Sequence, residues 1–276
     1  MKLTPWLARI VLIGCLMPLL PLAAQGGGDN GDTWVFDNAR GGFCIWYLID
    51  PELVPKVLPK GSNPRSASSV SNLHAVLERI VRDEPRFAAW IPSVLCLGRY
   101  ATTQVEGRMM DREKDDRPVI IAWQATAVQD AYGINGSDWL LNDLGGDSPR
   151  LQQHANRSSM GFSDRSLRHN RVKGDTVEND WEFRADGMKL FWTGRQIGDP
   201  RPGTTQAMTL GYAGARGTFW RVLLEQAPGH ERNLIGSLRI EGKSDLAMAL
   251  KASPVRAVSP ASLGGRTTMS FERARR

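Results

Sequence analysis

The chain has little of what most catalytic machinery needs. Its 276 residues hold three cysteines and four histidines. No two cysteines are spaced as a zinc pair and no His-Glu-x-x-His occurs, so no metal is expected. A Gly-rich phosphate loop and a Gly-x-Ser-x-Gly elbow are also missing, which argues against nucleotide chemistry and α/β-hydrolase catalysis. No cofactor is expected either. The histidines, His74, His154, His169 and His230, are scattered, and each reads as a surface or hydrogen-bonded residue rather than a ligand or base. Basic residues are interspersed with acidic ones, and the formal net charge of +6 drops to about +4 without Lys2 and Arg9. Nucleic-acid binding is therefore not indicated. There is no internal repeat and no long linker.

The first residues are distinctive. Lys2 and Arg9 precede an apolar run from Ile10 to Leu22, interrupted by Pro18 and Pro21 and followed by Ala23 and Ala24. A basic start, a short apolar centre and small residues before a polar break form the layout of a cleaved signal peptide. Residues 1 to about 24 are read as that signal, and the working protein as periplasmic or secreted. Leu12-Ile13-Gly14-Cys15 resembles a lipobox, but the apolar run continues past Cys15, so a lipid anchor is the lesser alternative. No later stretch approaches the ~20 apolar residues of a membrane span. Residues 25–37 read as a flexible lead-in, 38–272 as one domain, and 273–276 as a basic, solvated tail.

Cleavage leaves Cys44 and Cys96. In an oxidising compartment an even pair suggests a disulfide, although two buried thiols would also fit.

Phe43 to Ile49 is aromatic and β-branched and reads as a strand. Asp50-Pro51-Glu52 then opens a helix with Leu53, Val54, Val57 and Leu58 as its apolar face. A second helix is expected from about Asn72 to Asp83, capped by Ser71. Strands are expected at 94–100, 118–128, 187–197, 218–225, 255–258 and 267–271, a tight turn at 172–177, and a short helix at 244–250. The segment 129–160, rich in Gly, Asp, Ser and Asn, reads as loop with little core. The fold class is mainly β (α+β), a β-barrel or curved sheet with a few covering helices.

Three stretches, in order, resemble the acetoacetate decarboxylases and their barrel-forming relatives. The first is Arg40, the strand through Ile45-Trp46-Tyr47, Asp50, and Leu58-Pro59. The second is Gly161-Phe162-Ser163-Asp164-Arg165, then Asp175-Thr176-Val177 and Gly187-Met188-Lys189-Leu190. The third is Asp245 to Leu250, Pro254-Val255, Val258-Ser259 and Met269-Ser270-Phe271. The resemblance implies a ligand cavity inside a barrel, with Arg40 as a carboxylate-binding residue sharing that cavity with Asp164.

In that family a lysine amine attacks a ketone and forms a Schiff base, helped by a neighbouring cation. Here the nucleophile position falls on Asp164 and its neighbour on Arg165. A carboxylate cannot form an imine, and a guanidinium stays protonated. Cys96 and Leu97 fall where the family has one glutamate, and Glu113 lies near the second. Lys189 is the other lysine to weigh, and strand alternation turns it away from the face of Met188 and Leu190. The expectation is an exported barrel without decarboxylase chemistry that binds a small organic acid or apolar ligand. Two alternatives stay open. One is a different lyase or hydrolase using Asp164 with Arg40. The other is a structural or partner-binding envelope protein with Trp-rich surfaces.

Overall fold

The computed structural model describes residues 31–71, 73–114, 118–134, 136–172, 178–185, 187–227, 229–259 and 261–274. The expected signal peptide, Cys15 and most of the 172–177 turn lie outside them. The elements run β1 (Thr33–Ile49), α1 (Val54–Val57), α2 (Ala75–Asp83), β2 (Ile91–Val105), β3 (Arg108–Arg112), β4 (Val119–Ala127), β5 (Trp139–Gly146) and α3 (Pro149–Arg157). After them come β6 (Ser163–Asp164), β7 (Ser166–Val172), β8 (Glu178–Ala185), β9 (Met188–Pro202), β10 (Gln206–Ala213), β11 (Phe219–Ala227) and β12 (His230–Gly242). The chain finishes with α4 (Asp245–Ala252), β13 (Arg256–Val258), β14 (Ala261–Leu263) and β15 (Arg266–Arg273). The architecture is mainly β with few helices, as the sequence indicates.

The ladders close on themselves. β1 pairs with β2, β2 with β4, β4 with β5, β5 with β10, β10 with β11, β11 with β15, and β15 with β1 again. The result is a ring of seven strands. A second sheet, β14-β12-β9-β8-β7, grows from β1 at the pair Arg40–Leu263. β1 serves both sheets because it bends at a bulge between Ala39 and Gly42. Glycine is needed there. Gly41 has φ +115°, and a Cβ on Gly42 would sit 2.5 Å from the Leu97 carbonyl oxygen.

Sharing strands explains the burial pattern. Every residue of β4 is buried, because one face lines the ring and the other is covered by the second sheet and α4. Val119, Ile121, Trp123 and Ala125 point into the ring with Trp34, Phe36 and Phe271. Ile120 and Ala122 point outward to Phe43, Trp181, Trp192 and Leu250.

Several boundaries differ from expectation. The lead-in is shorter than 25–37: β1 begins at Thr33, and Trp34 and Phe36 are fully buried. Helix α1 is a single turn, Val54–Val57, preceded by a turn in which Asp50 Oδ1 accepts from the Glu52 N–H at 2.9 Å. Helix α2 starts at Ala75, and its cap is His74 rather than Ser71, with Nδ1 accepting from the Val76 N–H at 3.3 Å. The segment 129–160 is not loop. It contains β5, which puts Leu140, Leu141 and Leu144 in the core, and α3, capped by Ser148 Oγ and buried through Leu151 and Ala155. A polar bulge at Asn142 breaks the alternation of β5, which hides the strand from a period-two reading.

Candidate functional site

Two polar features lie back to back on strands β2 and β4, one inside the ring and one outside it.

Inside, one mouth of the ring is hollow, with a cavity of about 260 Å³. Its apolar wall comes from strand residues that face inward: Trp46 of β1, Trp123 of β4 and Met208 of β10. A disulfide between Cys44 and Cys96 belongs to the same wall. The two cysteines are direct cross-strand partners. The Cys44 N–H donates to Ser259 Oγ and its carbonyl accepts from the Ser259 N–H, each at 2.8 Å. With its backbone bonds turned away, Cys44 faces Cys96 as a non-hydrogen-bonded pair, the closer kind, with 4.0 Å between Cα atoms. His74 stacks on Trp46 with ring centroids 5.3 Å apart, and burial holds its imidazole below the usual histidine range. Tyr100 and Thr267 share a 2.8 Å hydrogen bond in the wall.

Polar residues ring the mouth because they sit at strand ends. Arg201 lies near the end of β9, Gln206 opens β10, Gln226 nearly closes β11 and Arg266 opens β15. Arg266 is occupied, donating two 3.1 Å bonds to the Asp37 carboxylate, and that hydrogen bonding holds the Asp37 carboxyl below its ordinary value. Arg201 donates to the neutral Asn233 Oδ1 at 3.0 Å.

Outside the ring, the opposite face of β2, β4 and β5 carries a packed polar nest. Gln124 Nε2 donates to Tyr47 Oη at 2.8 Å. Ser93 Oγ donates to Thr126 Oγ1 at 3.0 Å, and Asn142 Nδ2 donates to the same oxygen at 2.6 Å. Burial pushes the Tyr47 phenol above its ordinary value. The nest is completed by Arg165, which donates through Nε and Nη2 to Asp143 Oδ2 at 3.1 and 2.9 Å. Gly145 makes room for it, since a Cβ there would lie 2.7 Å from Arg165 Cγ.

The residues singled out in the sequence divide between these places. Arg165 is 7% exposed and faces the interior, whereas Asp164, its neighbour, is exposed. Strand alternation separates them. The Asp164 carboxylate adds to the burial that raises the carboxyl pKa of Asp147. Arg40 is half-exposed and donates through Nε to Glu113 Oε2 at 2.9 Å, so the matches to the family's arginine and second glutamate meet each other. Arg40 and Asp164 are not brought together. They lie on β1 and β6, with β2, β4 and β5 between them, and neither is in the wall of the ring cavity. Lys189 is exposed while Met188 and Leu190 are buried, as alternation requires. His154 and Ser158 both bond Asp32 Oδ2, at 2.5 and 3.2 Å, rather than each other, so that trio does not activate the hydroxyl. Among the described residues no group of three or more potential ligands could hold a metal, and no helix is long and apolar enough to cross a membrane.

Sequence reading missed the cavity residues Trp46, His74, Trp123, Arg201 and Met208, and the nest partner Asp143. They come from separate strands with no local motif. The one local signal was Ser148-Pro149, a cap and first-turn pair that marks α3 and hence the end of β5.

No protein-family model and no curated protein sequence matches the chain. Solved structures do match its fold. An acetoacetate decarboxylase from Legionella pneumophila subsp. pneumophila str. Philadelphia 1 superposes with a TM-score of 0.50 at 13% identity, covering 98% of both chains. An acetoacetate decarboxylase-like enzyme from Sphingomonas wittichii RW1 gives a TM-score of 0.46 at 12% identity, over 94% of this chain and 98% of that one. The enduracididine biosynthesis enzyme MppR, complexed with pyruvate, gives 0.48 at 10% identity, over 94% and 95%. The chain has an acetoacetate-decarboxylase-like fold.

Proposed function

We propose that this chain is an exported ligand-binding protein built on the acetoacetate-decarboxylase-like scaffold, without Schiff-base decarboxylation. The ring cavity is its binding site for a small organic acid or apolar molecule. One observation carries the reading: none of the described lysines faces the interior. Lys56, Lys60, Lys114, Lys189, Lys243 and Lys251 are all exposed. Where the resemblance puts the amine, Asp164 faces solvent and Arg165 is engaged by Asp143. An imine needs a neutral amine, and a solvated ammonium offers no lone pair at neutral pH. Meanwhile the hollow at the ring mouth has an apolar inner wall and a polar rim, as a ligand site needs. The layout of residues 1–24 supports export, and the Cys44–Cys96 bond suits an oxidising compartment.

The test has two arms. Incubation with acetoacetate or pyruvate and borohydride should leave every lysine unmodified, with no carbon dioxide released. A reduced adduct on any lysine, with turnover lost when that lysine becomes alanine, would overturn the reading. N-terminal sequencing of protein recovered from the exporting cell should begin near Gln25, and a mature chain starting at Met1 would refute export.

A further inference from the structure

The two ends of the ring cavity narrow the class of its ligand. The inner wall is apolar: Trp46, Trp123, Met208 and the disulfide. The mouth holds two guanidiniums in different states. Arg266 is neutralised by the Asp37 fork. Arg201 is bonded to a neutral amide and enters no ion pair among the described residues. Glu231, its cross-strand partner and the acid in the wall, is not ion-paired with it either. The Arg201 guanidinium therefore stands at the rim with donors to spare, and the Glu231 carboxylate lies in the same wall without bonding it.

Size adds a second constraint. The cavity's volume of about 260 Å³ is some nine times a water's share of liquid, about 30 Å³, and a methylene takes similar room. A compact acid of three or four carbons would leave much of the hole unfilled and its indoles without contacts. A chain of roughly nine carbons would fill it.

We propose that the cavity takes a medium-chain carboxylic acid, tail first, with the alkyl chain between Trp46, Trp123 and Met208 and the carboxylate at Arg201. This rests on the reading that the ring mouth is the ligand site. A guanidinium recognises a carboxylate through two parallel donors, which places the head group at the rim. The tail gains by leaving water, so affinity should rise about fourfold for each methylene that still finds room.

The experiment titrates the mature protein with straight-chain carboxylic acids of four to twelve carbons, followed by tryptophan fluorescence and calorimetry. Kd should fall about fourfold per added carbon up to roughly nine, then level off. Arg201→Gln is an exposed substitution that leaves the core intact. It should weaken every acid about tenfold or more, the usual value of a charged hydrogen-bonded contact, while leaving the matching alcohols unchanged. Met208→Trp should remove long-chain binding by filling the hole, with circular dichroism checking the fold. Equal affinity for four- and nine-carbon acids would overturn the chain-length claim and leave the smaller-ligand reading standing. Equal affinity for acids and alcohols in the unaltered protein would overturn the role of Arg201. Failure of every acid and alcohol to bind would overturn both this inference and the reading beneath it.

Discussion

Strands β2 and β4 have two inner faces, and the two are built differently. Facing the ring mouth, they enclose a hollow whose wall is indole, thioether and disulfide. Facing the second sheet, they carry a packed nest in which Gln124 bonds Tyr47, Ser93 and Asn142 bond Thr126, and Arg165 bonds Asp143, while the buried Asn142 Oδ1 has no partner. The first face has space and few polar partners. The second has polar partners and no space. Open volume belongs to the first face and structural specification to the second, because a buried polar network tolerates one arrangement only.

That comparison can be broken from either side. The largest effect is expected from the cavity wall's staple. The bond joins residues 52 apart in sequence, and losing it in Cys44→Ser/Cys96→Ser should cost about 4 kcal/mol in the chain-entropy model. Urea unfolding of the variant, and of the native protein with and without reductant, measures it. An unchanged midpoint would show that the staple does not constrain the unfolded chain.

Next comes Arg165→Met, which leaves the Asp143 carboxylate without its fork. The expected loss is about 3 kcal/mol, or a melting point lower by roughly 6–12 °C for a chain this long. Adding Asp143→Asn should restore part of the loss, since the stranded charge is then gone. If the single variant melts like the parent, the nest is not a specifying element. Tyr47→Phe is gentler. It removes the acceptor of Gln124 inside the core and should cost about 1 kcal/mol by denaturant titration.

The smallest effect is ionic and lies at the mouth. Arg266 holds the Asp37 carboxyl below its ordinary value in the folded state. The pair's contribution is complete above the unfolded carboxyl value, about 3.9, and disappears as pH falls through the lower folded value. Both side chains are partly solvated, so the contribution stays under about 1 kcal/mol. Melting curves between pH 5 and pH 2 should show a shallower descent for Asp37→Asn than for the parent.

Much of the fold was legible where each segment announced itself. Phe43 to Ile49, Pro118 to Val128 and the Ser244-capped helix have composition and punctuation that point one way, and all three formed. Strand β5 was not legible, because its polar pair Asn142-Asp143 belongs to the nest and only tertiary contacts explain it. β12 was also missed, being nowhere fully buried, with only Leu234, Leu238 and Ile240 packing against the core to set a pattern. The candidate site was the least legible part. Resemblance drew attention to Asp164, but in a strand the residue that enters the interior is decided by register, and register favoured Arg165. The cavity is assembled from β1, β2, β4, β9, β10, β11, β12 and β15, so no window of sequence contains it.

The ring has its seam where β1 meets β15: Thr33 pairs with Ser270 and Phe36 with Thr267. Among the described residues its first strand in chain order is therefore zipped to its last. During vectorial synthesis the circuit cannot close until β15 has emerged, because β15 bridges β1 and β11. Contacts so distant in sequence make closure slow. The same adjacency makes the molecule a natural host for circular permutation, with strands β15 and β1 joined by a short linker and new ends opened at a surface turn.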